Sequence, residues 1–193
     1  MIRALLLCVA LFQAGSPTAQ KPTIENDRVA VWDVTDSPAA PPTDAVVVSL
    51  SGNAAFLPKG TAPAIDGKRV DGKTPDGRAM VIALKDHPAP VYTNTTKYPL
   101  AFPRPGSKKI LENDRVIVWD YTWTPDVATP MHFHDKDVVV VFLDDGDLKS
   151  TTPDGKETVN EYKPGTTRFN LGGRTHTETL IRGKQRAIIT ELK

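Results

Sequence analysis

Short apolar runs, in which apolar and polar positions often alternate, extend along most of the chain. Val116, Val118 and Asp120 alternate with Ile117, Trp119 and Tyr121, and residues 138–143 form an apolar, largely β-branched run. A period of two is typical of β-strands, because successive side chains point to opposite faces. Asp-Gly pairs at 145–146 and 154–155 favour tight hairpin turns. Helical periodicity is absent after the first twenty residues, so the pattern predicts an all-β sandwich or small barrel.

The strand pattern occurs twice. Residues 25–35 read ENDRVAVWDVT and residues 112–122 read ENDRVIVWDYT, with nine of eleven positions identical. The ends also agree, since GRAMVIALK at 77–85 resembles QRAIITELK at 185–193. We therefore predict a first copy over 23–86 and a second over 110–193, joined by a Pro-rich connector over 87–109 that is extended or packs across the copies.

Residues 1–19 have the features of a secretory signal peptide. Arg3 precedes an apolar run over residues 4–12, which is too short to span a bilayer, and small or polar residues follow to Ala19. The segment contains Cys8, the only cysteine of the chain, so the mature protein has no disulfide. We expect a periplasmic or secreted protein.

The charge balance narrows the class of partner. The formal net charge is +1 and becomes zero when Arg3 is removed with the signal segment. Without a basic cluster, nucleic acid is not an expected partner. The sequence has no second long apolar stretch, so we do not expect membrane attachment after signal removal. A small-molecule partner is expected.

Three histidines of the second copy form a candidate metal site. His132 and His134 are two residues apart, which places both side chains on one face of a strand. Two imidazoles at that spacing can share one ion, and His176 is the remaining histidine of this copy. The alternative is a set of hydrogen-bonded histidines at a strand edge, which the spacing favours less once His176 is included.

The second copy resembles the cupin superfamily, whose first motif has two histidines one residue apart, a glutamate after three or four more residues, and a glycine. Its second motif has a glycine, then Pro-x-Gly, a histidine and an asparagine. The matching residues here are His132, His134 and Gly146 for the first motif and Gly165, Gly173 and His176 for the second. Leu171 and Leu180 replace the usual proline and asparagine. The resemblance implies two tandem jelly-roll barrels of the cupin type, the first of them degenerate, since its copy is shorter and has no His-x-His.

The main departure from the cupin pattern is the missing acid. The glutamate position falls on Val138 or Val139. Asp137 is one residue early with the wrong strand parity, and Glu178 shares a face with His176. Both are candidate catalytic or supporting residues, although an ordinary polar position is the simpler interpretation of each.

Further polar residues follow on the strand before the second motif. Arg168 and Asn170 lie on one face of that strand and would bind an anionic substrate if that face is inward; solvated side chains are the simpler alternative.

The resemblance implies a function as well as a fold. Three-histidine centres occur among cupins, for example in thiol and diketone dioxygenases, so one divalent ion held by three histidines is expected. Imidazole does not distinguish Fe, Mn, Zn and Ni. The expected activity is that of a mononuclear metalloenzyme of dioxygenase, isomerase or lyase type. The alternative is a non-catalytic module that binds a small molecule or metal, and pairing of exposed sheet edges would give a homodimer.

Overall fold

In a computed structural model, residues 21–70, 72 and 77–193 are described, and they form sixteen β-strands and no α-helix. The predicted all-β fold class is confirmed for this part of the chain. The predicted signal segment lies outside the described residues. Over the same ranges, no helix has the length and apolar character needed to cross a membrane.

The described residues of the first copy form one antiparallel sheet and a hairpin. The strands are β1 (Ile24–Glu25), β2 (Val29–Asp33), β3 (Ala45–Ser49), β4 (Ala54–Leu57), β5 (Ala64–Ile65), β6 (Lys68–Arg69) and β7 (Ala79–Leu84). The sheet has the order β1-β2-β7-β3-β4, and β5 pairs with β6 alone.

The second copy forms two sheets. Its strands are β8 (Ser107–Glu112), β9 (Val116–Thr122), β10 (His132–Phe133), β11 (Asp137–Phe142), β12 (Gly146–Thr151), β13 (Glu157–Tyr162), β14 (Thr167–Asn170), β15 (Thr175–Gly183) and β16 (Arg186–Leu192). One sheet has the order β14-β11-β16-β9-β8 and the other β10-β15-β12-β13. The β12–β13 hairpin turns at Gly155, whose φ of 84° favours glycine.

A comparison of equivalent strands shows what the first copy lacks. Strands β2 and β9 follow directly after the two ENDR sequences, and β7 and β16 lie in the repeated ends. Each pair occupies the same place in its five-stranded sheet. The histidine-bearing sheet β10-β15-β12-β13 has no counterpart among the described residues of the first copy. The first copy therefore keeps one layer of a two-layer barrel.

The two five-stranded sheets pack face to face through a core of aliphatic residues. Val29 and Val31 of β2 lie in this core with Val116 and Val118 of β9, all of them fully buried. Because side chains alternate along a strand, β11 directs Val139 and Val141 to this core, and Val138, Val140 and Phe142 to the interior of the second barrel. The molecule is thus a stack of three sheets, with the histidines on the outermost.

Two reciprocal ion pairs cross between the copies. Arg28 donates from Nη1 to Asp137 at 3.0 Å, and the equivalent Arg115 contacts Asp44 at 3.4 Å. Asp44 and Asp137 hold the same position beside the equivalent strands β3 and β11. The two pairs differ in burial, since the side chains of the first are 8% and 0% exposed and those of the second 33% and 31%. The repeated arginine therefore binds the acid of the opposite copy.

The connector packs against the second barrel. Leu100 bridges to Phe133, and Ala101 and Phe102 are buried in the barrel interior. These residues thus pack on the second copy, and these contacts do not reach the first. Because this part of the connector packs against the barrel, Arg104 reaches the histidines.

Candidate metal centre

The three histidines meet at one end of the four-stranded sheet. His132 on β10 is the direct cross-strand partner of His176 on β15. His134 continues this pairing, because its N–H donates to the Arg174 carbonyl at 2.9 Å and its own carbonyl accepts from the Gly173 N–H at 2.8 Å. All three side chains are buried, and one nitrogen of each lies within 4.8 Å of the others.

Hydrogen bonds orient two of the imidazole rings. Nδ1 of His132 lies 2.7 Å from the Pro130 carbonyl, to which it donates, so its Nε2 carries the free lone pair. Nδ1 of His176 lies 3.4 Å from the Ser150 hydroxyl. Nδ1 of His134 is buried without a partner among the described residues. Backbone or hydroxyl partners on one ring nitrogen leave the other available for a metal.

The histidines are neutral at physiological pH. Burial, followed by the charge of Arg104, lowers the pKa of His132 to about 3. Burial is also the largest cause of the lowered pKa of His134 and His176. Neutral imidazoles are the form that binds metal ions.

The spacing of the nitrogens fits one ion. Nε2 of His134 lies 3.2 Å from Nε2 of His176. These two nitrogens are therefore close enough to bind the same ion at a bond length of about 2.1 Å.

Arg104 is a cation at the edge of the histidine cluster that sequence reasoning missed. Its Nη1 lies 2.7 Å from Nε2 of His132, and its guanidinium stacks on the Tyr121 ring at 4.1 Å from the centroid. Its side chain is only 5% exposed. The residue belongs to the Pro-rich connector, where no periodicity or motif pointed to the site. Metal binding requires Arg104 to move away from the His132 lone pair.

Glu178 lies in the cavity beside the histidines. Its carboxylate accepts from Nε1 of Trp123 at 3.2 Å and is 3.5 Å from Nη2 of Arg104. Burial alone would raise the pKa of this carboxyl, but neighbouring groups, among them the Arg104 cation and the Trp123 N–H, more than offset that effect, and the pKa is lowered. Glu178 is therefore an ionised group facing the site, as its predicted strand face requires.

The structure does not bring Asp137 to the histidines. Its side chain lies on the opposite face of β11 from Val138, where it binds Arg28, the Tyr92 hydroxyl at 2.8 Å and the Gly172 N–H at 2.9 Å. The Asp137 side chain is buried, with the residue only 1% exposed, so the simpler interpretation of an ordinary polar position is also wrong. Asp137 therefore lies on the face of β11 that its sequence spacing predicts, and no bulge in β11 turns its side chain toward the histidines.

A cavity of about 220 Å³ lies between the two sheets of the second barrel and reaches His134. Apolar side chains of β11 and polar side chains of its neighbour β14 form one wall, and polar side chains of β12, β13 and β15 form the other. Arg168 and Asn170 both line it, so that face of β14 is turned toward the cavity, although Arg168 is also exposed to solvent. Val138, one of the two positions where the cupin motif has glutamate, also lines it.

Comparisons with known proteins found similar solved structures but no similar family model or curated protein. A cupin domain from Bordetella pertussis is 26% identical, with 48% of this chain and 99% of that chain covered and a TM-score of 0.41. An RmlC-like cupin family protein from Methanocaldococcus jannaschii is 12% identical (55% and 90% covered, TM-score 0.38), and the polyketide cyclase RemF from Streptomyces resistomycificus is 22% identical (55% and 80% covered, TM-score 0.38). Several of the solved structures to which this chain is similar are cupin-domain proteins, as the resemblance of the sequence motifs leads us to expect.

The cupin motifs then account for the local geometry. Gly165 and Gly173 of the second motif have φ values of 87° and 75°, which glycine adopts without strain. The turn at Gly173 leads directly into β15 and sets His176 opposite His132. Leu180, at the usual asparagine position, is 1% exposed in the barrel core. The residues of the two motifs thus bring His132 and His176 together, although the acidic ligand is absent.

Proposed function

We propose that the second barrel binds one divalent metal ion through His132, His134 and His176, and that the adjoining cavity is the active site of a mononuclear metalloenzyme. The observation that carries the proposal is the convergence of three buried, neutral imidazoles at ligand spacing. Placement in the periplasm or outside the cell is part of the proposal and depends on residues 1–19. Fe, Mn, Zn and Ni are all compatible with the three nitrogens.

The chain's own groups suit chemistry on a bound small molecule. A divalent ion held by three ligands supplies open coordination positions for polarising or activating a substrate. Glu178 faces the same cavity as an ionised carboxylate and is placed to accept a proton from a substrate. Trp123 and Arg104 fix the orientation of that carboxylate. The proposed reaction is of dioxygenase, isomerase or lyase type.

Metal analysis of the untagged protein tests the proposal. We expect about one equivalent of metal per chain in the wild type and background levels in the His132→Ala, His176→Ala double variant. His87→Ala is the matched control, because His87 is an exposed histidine of the connector. Equal metal content in the double variant and in His87→Ala would refute the assignment of the ligands.

A non-catalytic binding module is the second candidate. The contact of Arg104 Nη1 with His132 Nε2 favours it, because a guanidinium already occupies one lone pair. Oxygen uptake with thiols, β-diketones or phenolics by the iron-loaded protein separates the two candidates. Turnover that is lost in Glu178→Gln, with metal content retained, supports the enzyme; no turnover with any metal or substrate supports the binding module.

A further inference from the structure

The cavity contains more positive than negative charge. Arg104, Arg168 and Arg174 line it, and Glu178 is the one carboxylate among its described lining residues. The histidines add no charge, because their pKa values are lowered. One arginine, Arg104, is paired with Glu178. The two remaining guanidinium groups are those of Arg168, which is exposed, and Arg174, which is partly buried.

Neither of these two arginines has a carboxylate partner among the described residues. Arg174 donates from Nε to the Leu171 carbonyl at 2.8 Å, and Arg168 lies 5.9 Å from the centre of the Tyr162 ring. On the outside of the same barrel, Arg182 contacts Asp145 and Asp147. Arg174 is partly buried, and a partly buried guanidinium without a counter-ion is costly, so the cavity favours an anion beside it. Arg168 is exposed and adds its positive charge to the same cavity.

The two arginines reach the cavity from adjoining elements. Arg168 stands on β14 opposite Val140 of β11, and Arg174 lies in the turn that leads from β14 into β15. Both act on the same hydroxyl: burial raises the pKa of Tyr162, and the charges of Arg168 and Arg174 oppose that rise. Arg168, Arg174 and Tyr162 all line this cavity, and Arg168 lies beside the Tyr162 ring.

The rest of the cavity has a different character. Val138, Val140, Phe142 and Ile189 form an apolar wall, and His134 lies in the lining as well. The volume of about 220 Å³ is below the range of pockets that hold drug-sized ligands, which begins at about 300 Å³. The space suits a compact molecule with one charged end.

We propose that the cavity binds a small organic acid, whose carboxylate lies on Arg168 and Arg174 and whose apolar body lies against Val138, Val140 and Phe142. Guanidinium groups match carboxylates in shape and can bind them through two parallel hydrogen bonds. The inference deepens the proposed function and depends on it only in that the other end of the acid would face the histidines. The binding of the anion itself needs no metal.

Benzoate and its neutral isostere benzamide test the charge requirement. Binding to the full-length, chelator-treated protein is measured by calorimetry and by the fluorescence of Trp123, which lines the cavity. We expect benzoate to bind at least about tenfold more tightly than benzamide, the equivalent of about 1.4 kcal/mol. Arg168→Gln and Arg174→Gln should each weaken benzoate and leave benzamide unchanged, whereas Arg182→Gln, an exposed arginine of β15, should change neither.

Three results would overturn the inference. Equal affinity of the wild type for benzoate and benzamide would show that charge is not recognised, a result that needs no variant to fold. Unchanged benzoate binding in an Arg168→Gln, Arg174→Gln double variant would assign the anion to other groups. Inorganic phosphate that binds as tightly as benzoate would remove the role of the apolar wall. Benzoate binding without any metal uptake would support the organic-acid site and refute the metalloenzyme, so the two proposals fail separately.

Discussion

The buried ion pair between Arg28 and Asp137 should be the strongest polar link between the two copies. Replacing Arg28 by Met leaves a carboxylate with a fully buried side chain and no cation beside it. Removing one partner of such a pair typically costs about 3–5 kcal/mol, because the remaining charge is neither solvated nor paired. For a domain of this size, that loss lowers the melting temperature by roughly 6–20 °C.

The repeat supplies a matched control for this experiment. Arg115→Met breaks the equivalent pair with Asp44, but both of those side chains are about one-third exposed. Water can solvate the remaining Asp44 carboxylate, so the expected loss of unfolding free energy is about 1 kcal/mol or less.

A second substitution separates charge from packing. Asp137→Asn keeps an acceptor for the Tyr92 hydroxyl and the Gly172 N–H but removes the buried charge. In the Arg28→Met background it should therefore restore at least about 2 kcal/mol of the loss. Asp44→Asn in the Arg115→Met background should restore almost nothing.

Urea unfolding followed by tryptophan fluorescence and circular dichroism measures all of these free energies. The reasoning is refuted if Arg28→Met and Arg115→Met lose the same stability within about 0.5 kcal/mol, the usual limit of additivity between distant sites. A lack of rescue by Asp137→Asn would show that lost packing of the arginine, and not an unpaired charge, causes the instability.

Three further predictions concern the second barrel. Arg104→Gln should tighten metal binding by at least about tenfold in a chelator-competition titration, because it removes a cation 2.7 Å from the His132 lone pair; weaker binding would mean that Arg104 supports the ligand instead. Glu191→Gln should stabilise the protein more at pH 7 than at pH 4 in thermal unfolding. Burial raises the pKa of Glu191, only partly offset by the Trp119 hydrogen bond, so the wild type loses stability as pH rises from the unfolded-state pKa through the folded-state pKa. A pH-independent difference would contradict this. Gly172→Ala should cost about 1–3 kcal/mol, because the added methyl group would lie 2.4 Å from the Tyr92 ring, and the loss should shrink in a Tyr92→Ala background.

Periodicity and repetition predict most of the architecture. Alternation identifies β9, and the inner and outer faces of β11 follow from the same period of two. The repeated ends identify β7 and β16 as equivalent central strands. These predictions succeed because each depends on the local pattern of one strand and on burial of one or both of its faces.

The candidate site is predictable only in part. The His-x-His spacing and the second motif locate three histidines and Glu178, because strand parity fixes which face their side chains occupy. Arg104 could not be found in this way, since it lies in a segment without regular structure and reaches the site through tertiary packing of Phe102. The partner of Asp137 was equally hidden, because the ion pair joins residues 109 positions apart and in different copies.

The duplication also explains how the first copy can lack histidines without being dispensable. The outer face of the sheet that forms one wall of the cavity is aliphatic: Val139 and Val141 point away from the site that Val138 and Val140 line. An isolated second barrel would expose that face to water, whereas Val29, Val31 and their neighbours cover it. Arg28 then neutralises Asp137, and Asp137 in turn accepts from the Gly172 N–H in the turn that leads to His176. Loss of the histidine sheet from the first copy therefore leaves intact the part that supports the geometry of the second.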